Sequence, residues 1–246
     1  MLLSLYDWND ELIITDLIHS LPESIVRHMT SADAVLAVNG KRRSKPASMK
    51  AILSAVESET IEVQVSEPSG GTLNDVFCYI HRKGRKTLIV RGDNSMFSWD
   101  SCLAYLERVA LHGNLGYGYA DSQLIDQQAL YFALGMNLGQ PVTQEERDRA
   151  GTISRWFNER IPMKDIPAMN RHLAGFFRDV FEVNIITDRH LGQLCEDGST
   201  LQEKIVREKG RLGYIECLAN LSYVWVLPMD TRKRARELLE SMKVII

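Results

Sequence analysis

Six histidines, four cysteines and a few close pairs of aspartates are the residues of this 246-residue chain best suited to chemistry. The histidines are His19, His28, His81, His112, His172 and His190. No two of them stand four apart with an intervening glutamate, so the helical zinc-protease pattern is absent. Cys78, Cys102, Cys195 and Cys217 contain no C-x-x-C pair, which argues against a zinc ribbon or a thioredoxin-type centre. Cys195 is followed by Glu196 and Asp197, and neighbouring negative charge makes a thiol less reactive. Asp93 with Asp100, and Asp121 with Asp126, would do acid–base work if buried together. Aspartate near a helix start is more often a cap. Neither metal nor cofactor is expected, and no catalytic residue is assigned.

Phosphate chemistry has little support. Gly113, Gly116 and Gly118 cluster within six positions, but their order is not that of a dinucleotide fold, and no P-loop occurs. Structural roles at turns and close approaches fit these glycines better.

Two further sets concern binding. Lys204, Arg207, Lys209 and Arg211 lie on and just after a helix that precedes a β-hairpin. Helix, helix and two-stranded wing is the tail of a winged-helix arrangement, whose second helix reads DNA. Against it, Glu203 and Glu208 share that helix, and the hairpin carries no cation. Tyr117 and Tyr119, Trp156 with Phe157, and Tyr223 and Trp225 are aromatic concentrations of the kind protein interfaces use, although most such rings fill cores.

The elements that position these residues follow from pattern and caps. Thr200 and Glu203 form a capping box opening a helix, and strands at Tyr214–Leu218 and Ser222–Leu227 follow. Ala235, Leu238, Leu239 and Met242 then mark a final helix. Ser48 and Ser98 cap helices rich in apolar residues at helical spacing. Ile61, Val63 and Val65 alternate with polar residues as a half-buried strand does. Val76–His81 and Thr87–Arg91 are strands, and 2–6 and 34–38 are shorter candidates. Asn39-Gly40 is a turn, and Lys41, Arg42, Arg43 and Lys45 follow it in a loop. Beyond the Gly/Tyr stretch 116–119 helical patterns dominate. One of them opens at Asp165 and carries Leu173, Phe176, Phe177 and Val180.

Charge is uneven although the net value is only −3. Residues 1–40 balance to −5, and residues 41–91 to +5. Pairing between these blocks is the ordinary explanation, and a basic face for an acidic partner the functional one. The start lacks a basic leader pattern, and no apolar run approaches a membrane span. These features predict a cytoplasmic protein with reduced thiols and no membrane contact.

The expectation is an α+β chain. Residues 1–115 form a subdomain with a small antiparallel sheet of three or four strands. Residues 116–246 form a mainly helical subdomain ending in helix–hairpin–helix, or the two make one continuous domain. The leading function is non-catalytic protein binding of an inhibitor or immunity type, through Tyr117, Tyr119, Trp156, Tyr223 and Trp225. A winged-helix-like nucleic-acid binder, through Lys204, Arg207, Lys209 and Arg211, is the second reading. An enzyme with a spatially assembled His/Asp site is the third.

Overall fold

A computed structural model of the chain describes residues 1–6, 8, 13–58, 62–66, 75–82, 85–92, 95–122, 174–177, 179–219 and 222–245. The first strand, β1 (Leu2–Tyr6), leads to short helices α1 (Ile14–His19) and α2 (Glu23–Met29). A hairpin follows, β2 (Val35–Val38) and β3 (Lys41–Pro46). Asn39 and Gly40 turn it with φ of 49° and 74°, the left-handed geometry that tight hairpins require. Helix α3 (Met49–Glu57) is capped by the Ser48 side chain, as predicted. Strands β4 (Glu62–Ser66), β5 (Asp75–Arg82) and β6 (Arg85–Arg91) then lead to helix α4 (Trp99–Ala110), capped by Ser98.

After β7 (Tyr117–Asp121) the described chain resumes at 174 and enters β8 (Val183–Thr187). Helices α5 (Asp188–Leu191) and α6 (Leu201–Arg207) follow, then β9 (Tyr214–Cys217), β10 (Ser222–Val226) and the closing helix α7 (Met229–Ser241). The Thr200–Glu203 capping box is present at α6 in both of its hydrogen bonds.

All ten described strands join one antiparallel sheet, in the order β3-β2-β4-β5-β6-β1-β7-β8-β10-β9. This corrects the expected fold class: the sheet is not small, and it does not belong to the N-terminal half alone. β1 pairs with β6 on one side and β7 on the other, and β7 continues to β8, so strands from both sides of position 115 share one ladder. The helix expected through Phe177 and Val180 is also corrected over its described part. There Phe177 makes a parallel bridge to Ile245. The candidate helices between 125 and 173 lie outside the described residues.

Each face of the sheet carries its own core. Leu3, Leu5, Leu88, Val90, Ile185 and Val224 pack on one face against side chains from α1, α2, α3 and α4. Leu2, Ile89, Tyr119, Ile186 and Trp225 pack on the other against Leu191, Leu201, Ile205, Ala235 and Leu239 of α5, α6 and α7. Two buried faces leave the middle strands without a wet side, as in β7, where every residue is buried. Gly118 allows this packing: a Cβ there would lie 2.6 Å from the Ser4 carbonyl oxygen and 2.9 Å from Leu5. No described helix is long and apolar enough to cross a membrane.

Candidate functional site

The aromatic candidates divide by exposure. Tyr117, Tyr119 and Trp225 are buried, Tyr223 is half-buried, and Trp156 lies outside the described residues. Alternation along β7 and β10 turns the three buried rings into the second core. Tyr119 stacks on Phe181 with ring centroids 3.9 Å apart. Tyr117 stacks on His190 at 5.3 Å, and Phe177 meets both His190 and Trp225 edge-on. The Trp225 indole N–H donates to the Leu212 carbonyl at 2.8 Å, which satisfies its polar edge inside the core. His190 belongs to the same assembly. Its Nδ1 accepts from the Thr187 backbone N–H at 3.2 Å, so the ring closes the first turn of α5. Tyr223 points its phenol toward Asp188, whose hydrogen bond, more than burial, raises the Tyr223 pKa.

The basic candidates of the winged-helix reading are arranged for stability. Lys204 pairs with Asp197 and with Glu208, each at 3.3 Å, and Arg207 pairs with Asp197 at 3.0 Å. The Ser199 hydroxyl and backbone N–H, then Lys204, hold the Asp197 carboxyl well below the usual range. Glu208 is likewise lowered, first by Arg234 at 2.7 Å and then by Lys204. Lys209 and Arg211 are exposed just beyond α6. The hairpin is no free wing, because β10 is paired on one side with β9 and on the other with β8.

The described histidines and aspartates among the candidates are spread over several elements. Among the described residues no group of three or more His, Cys, Asp or Glu side chains could hold a metal. His19 and Asp100 do line one open cleft of about 550 Å³ between α1–α2 and α4, with Glu23, Ser101 and Arg108. The Arg108 guanidinium closes one side of it by donating to the Ser20 carbonyl at 2.9 Å. Asp121 serves another purpose. It accepts from Arg232 at 3.0 Å, and Arg232 also reaches Glu182 at 3.2 Å, which ties the end of β7 to the start of β8. Asp93, Asp126 and His172 lie outside the described residues.

Sequence reading missed one surface. Lys41 to Pro46 are not loop but the terminal strand of the sheet, and Lys41, Arg42 and Arg43 are exposed on it. No acidic side chain among the described residues pairs with them. The signal was the Asn39-Gly40 turn, which asks for a second strand after it. Lysine and arginine in a row obscured that strand, because they lack the β-branched or aromatic character that marks one.

No protein-family profile matches the chain, and no curated protein matches it in sequence. Among solved structures, a Pseudomonas aeruginosa T6SS protein, PA0821, is similar in fold. The similarity covers 99% of this chain and 76% of that one, with a TM-score of 0.52 and 9% identity.

Proposed function

We propose that this chain is a non-catalytic protein-binding module of the immunity type, which acts in the cytoplasm by masking a surface of a partner protein. The observation that carries the reading is the fold shared with a T6SS protein over nearly the whole chain. Two features of the molecule agree with it. Among the described residues, His190 is committed to packing, and no group of three or more His, Cys, Asp or Glu side chains is gathered to hold a metal. Among the described strands β3 is also a terminal, cationic sheet edge. The nucleic-acid reading draws less support, since Lys204 and Arg207 are already neutralised by Asp197 and Glu208.

The test is capture on the tagged full chain from nuclease-treated lysate of its source organism. One protein near stoichiometry is the expected result. Nucleic acid alone in a parallel capture from lysate without nuclease would favour the winged-helix reading instead.

A further inference from the structure

We infer that the edge strand β3 is the docking site, and that its occupant is an extended acidic segment of the partner protein, paired along β3 as an added strand. This rests on the protein-binding reading above.

The argument begins with the backbone. Among the described strands β3 ends the sheet and bonds only to β2, so its outer flank presents backbone groups that another strand can satisfy. The strand has six residues, Lys41–Pro46, close to the usual length of a strand. Its register steps from Val35–Pro46 to Ala37–Arg42, so residues 43–45 bulge opposite Leu36 and twist the edge, and Pro46 offers a carbonyl but no N–H.

Side chains then select the occupant. Lys41, Arg42 and Arg43 are exposed and consecutive, and strand alternation places cations on both sides of the edge. A second copy of this chain adding through its own β3 would set arginine and lysine against arginine and lysine, which like-charge repulsion opposes. The opposite edge, β9, offers a single acid, Glu216, in a four-residue strand. A polynucleotide would use the cations, but it has no donors or acceptors arranged for a strand edge. Neither β2 (VLAV) nor β3 (KRRSKP) carries an aromatic ring for bases to stack on. A polypeptide with carboxylates on alternate residues answers both the backbone and the charge.

The probe is an eight-residue peptide alternating glutamate with valine, added to the purified full chain. Controls are its glutamine version, versions N-methylated along either edge, and a single-stranded oligonucleotide of equal charge. Binding is read by fluorescence anisotropy, and amide hydrogen exchange is followed across 41–45. The glutamate peptide should slow exchange in 41–45, and its affinity should fall with salt. One of the two N-methylated versions should fail to bind. Arg42→Glu with Arg43→Glu should weaken binding about tenfold or more, with an unfolding midpoint matching that of Arg42→Gln with Arg43→Gln.

No binding of the glutamate peptide overturns the inference. So does equal binding of both N-methylated peptides, or an oligonucleotide that binds as tightly and protects the same amides. Capture from lysate separates the two levels. A partner protein held equally by wild type and by the double glutamate variant overturns the β3 site and leaves the protein-binding reading standing. No protein captured by the wild type overturns that reading itself.

Discussion

Arg232, in the first turn of α7, donates to Asp121 at the end of β7 across 111 positions of sequence, at 3.0 Å. The same guanidinium donates to the Leu227 carbonyl and pairs with Glu182, which accepts from both the backbone and the hydroxyl of Ser122. One side chain thus joins a helix to the facing ends of two neighbouring strands.

Arg232→Ala should therefore be costly. The Asp121 and Arg232 side chains are only 5% and 16% exposed, and removing one partner strands the other charge. The expected loss is about 3 kcal/mol in urea unfolding. Asp121→Asn combined with Arg232→Met should recover part of it, since the buried Asp121 charge is then gone and only the more exposed Glu182 loses its cation. A loss under about 1 kcal/mol for Arg232→Ala would show the pair to be incidental.

The aromatic residues should separate by role. Trp225→Phe removes the donor to Leu212 and part of a fully buried ring, with an expected cost of about 2–3 kcal/mol. Tyr223→Phe alters a half-exposed phenol and should stay within about 0.5 kcal/mol. Equal effects on the unfolding midpoint would contradict the burial difference between these neighbours on β10.

What sequence reading reached, and what it missed, follows from where the signals lie. Caps are local: Ser48, Ser98 and Thr200 each accept from a backbone N–H three residues on, and each helix start was legible. Strands with one wet face were legible too, as in β4, where Val63 and Val65 are buried between half-exposed neighbours. In the middle of the sheet the strand at 2–6 was legible as a candidate, but the rest and all of the pairing were not. β1, β7 and β8 are buried on both faces, which erases alternation, and their partners lie far away, as Leu2 with Asp121. The hairpin β9–β10 was legible, but its pairing to β8 was not, so it looked like a wing. Of the binding candidates, Tyr117 and Tyr119 sat in a short Gly/Tyr stretch whose composition does not distinguish an interface from a core.

Acid should loosen the turn before α6 first. The folded Asp197 carboxyl titrates below its unfolded value, so its stabilising contribution is present above about pH 4 and lost as the pH falls further. Exchange of the Ser199 amide, which donates to Asp197, should rise there relative to amides of β8. Asp197→Asn should reproduce the loosening at neutral pH. A Ser199 amide equally protected at pH 6 and pH 3 would contradict this.

Thiol reactivity should follow burial. Burial pushes the Cys102 thiol up to about 12, and burial also raises Cys195, whereas Cys217 is exposed on the edge strand β9. Alkylation at pH 8 with peptide mapping should label Cys217 quickly, and Cys102 and Cys195 only on unfolding. Rapid labelling of Cys102 in the folded chain would contradict the packing of α4 on the sheet.

The most direct measurement is the composition of the complex that the native chain captures. Tagged protein is applied to nuclease-treated lysate, and the eluate is sized by light scattering and identified by mass spectrometry. A single species containing this chain and one partner protein, with no nucleic-acid absorbance, is the predicted result. The uncomplexed chain alone, under conditions where its source organism is actively growing, would contradict the protein-binding account.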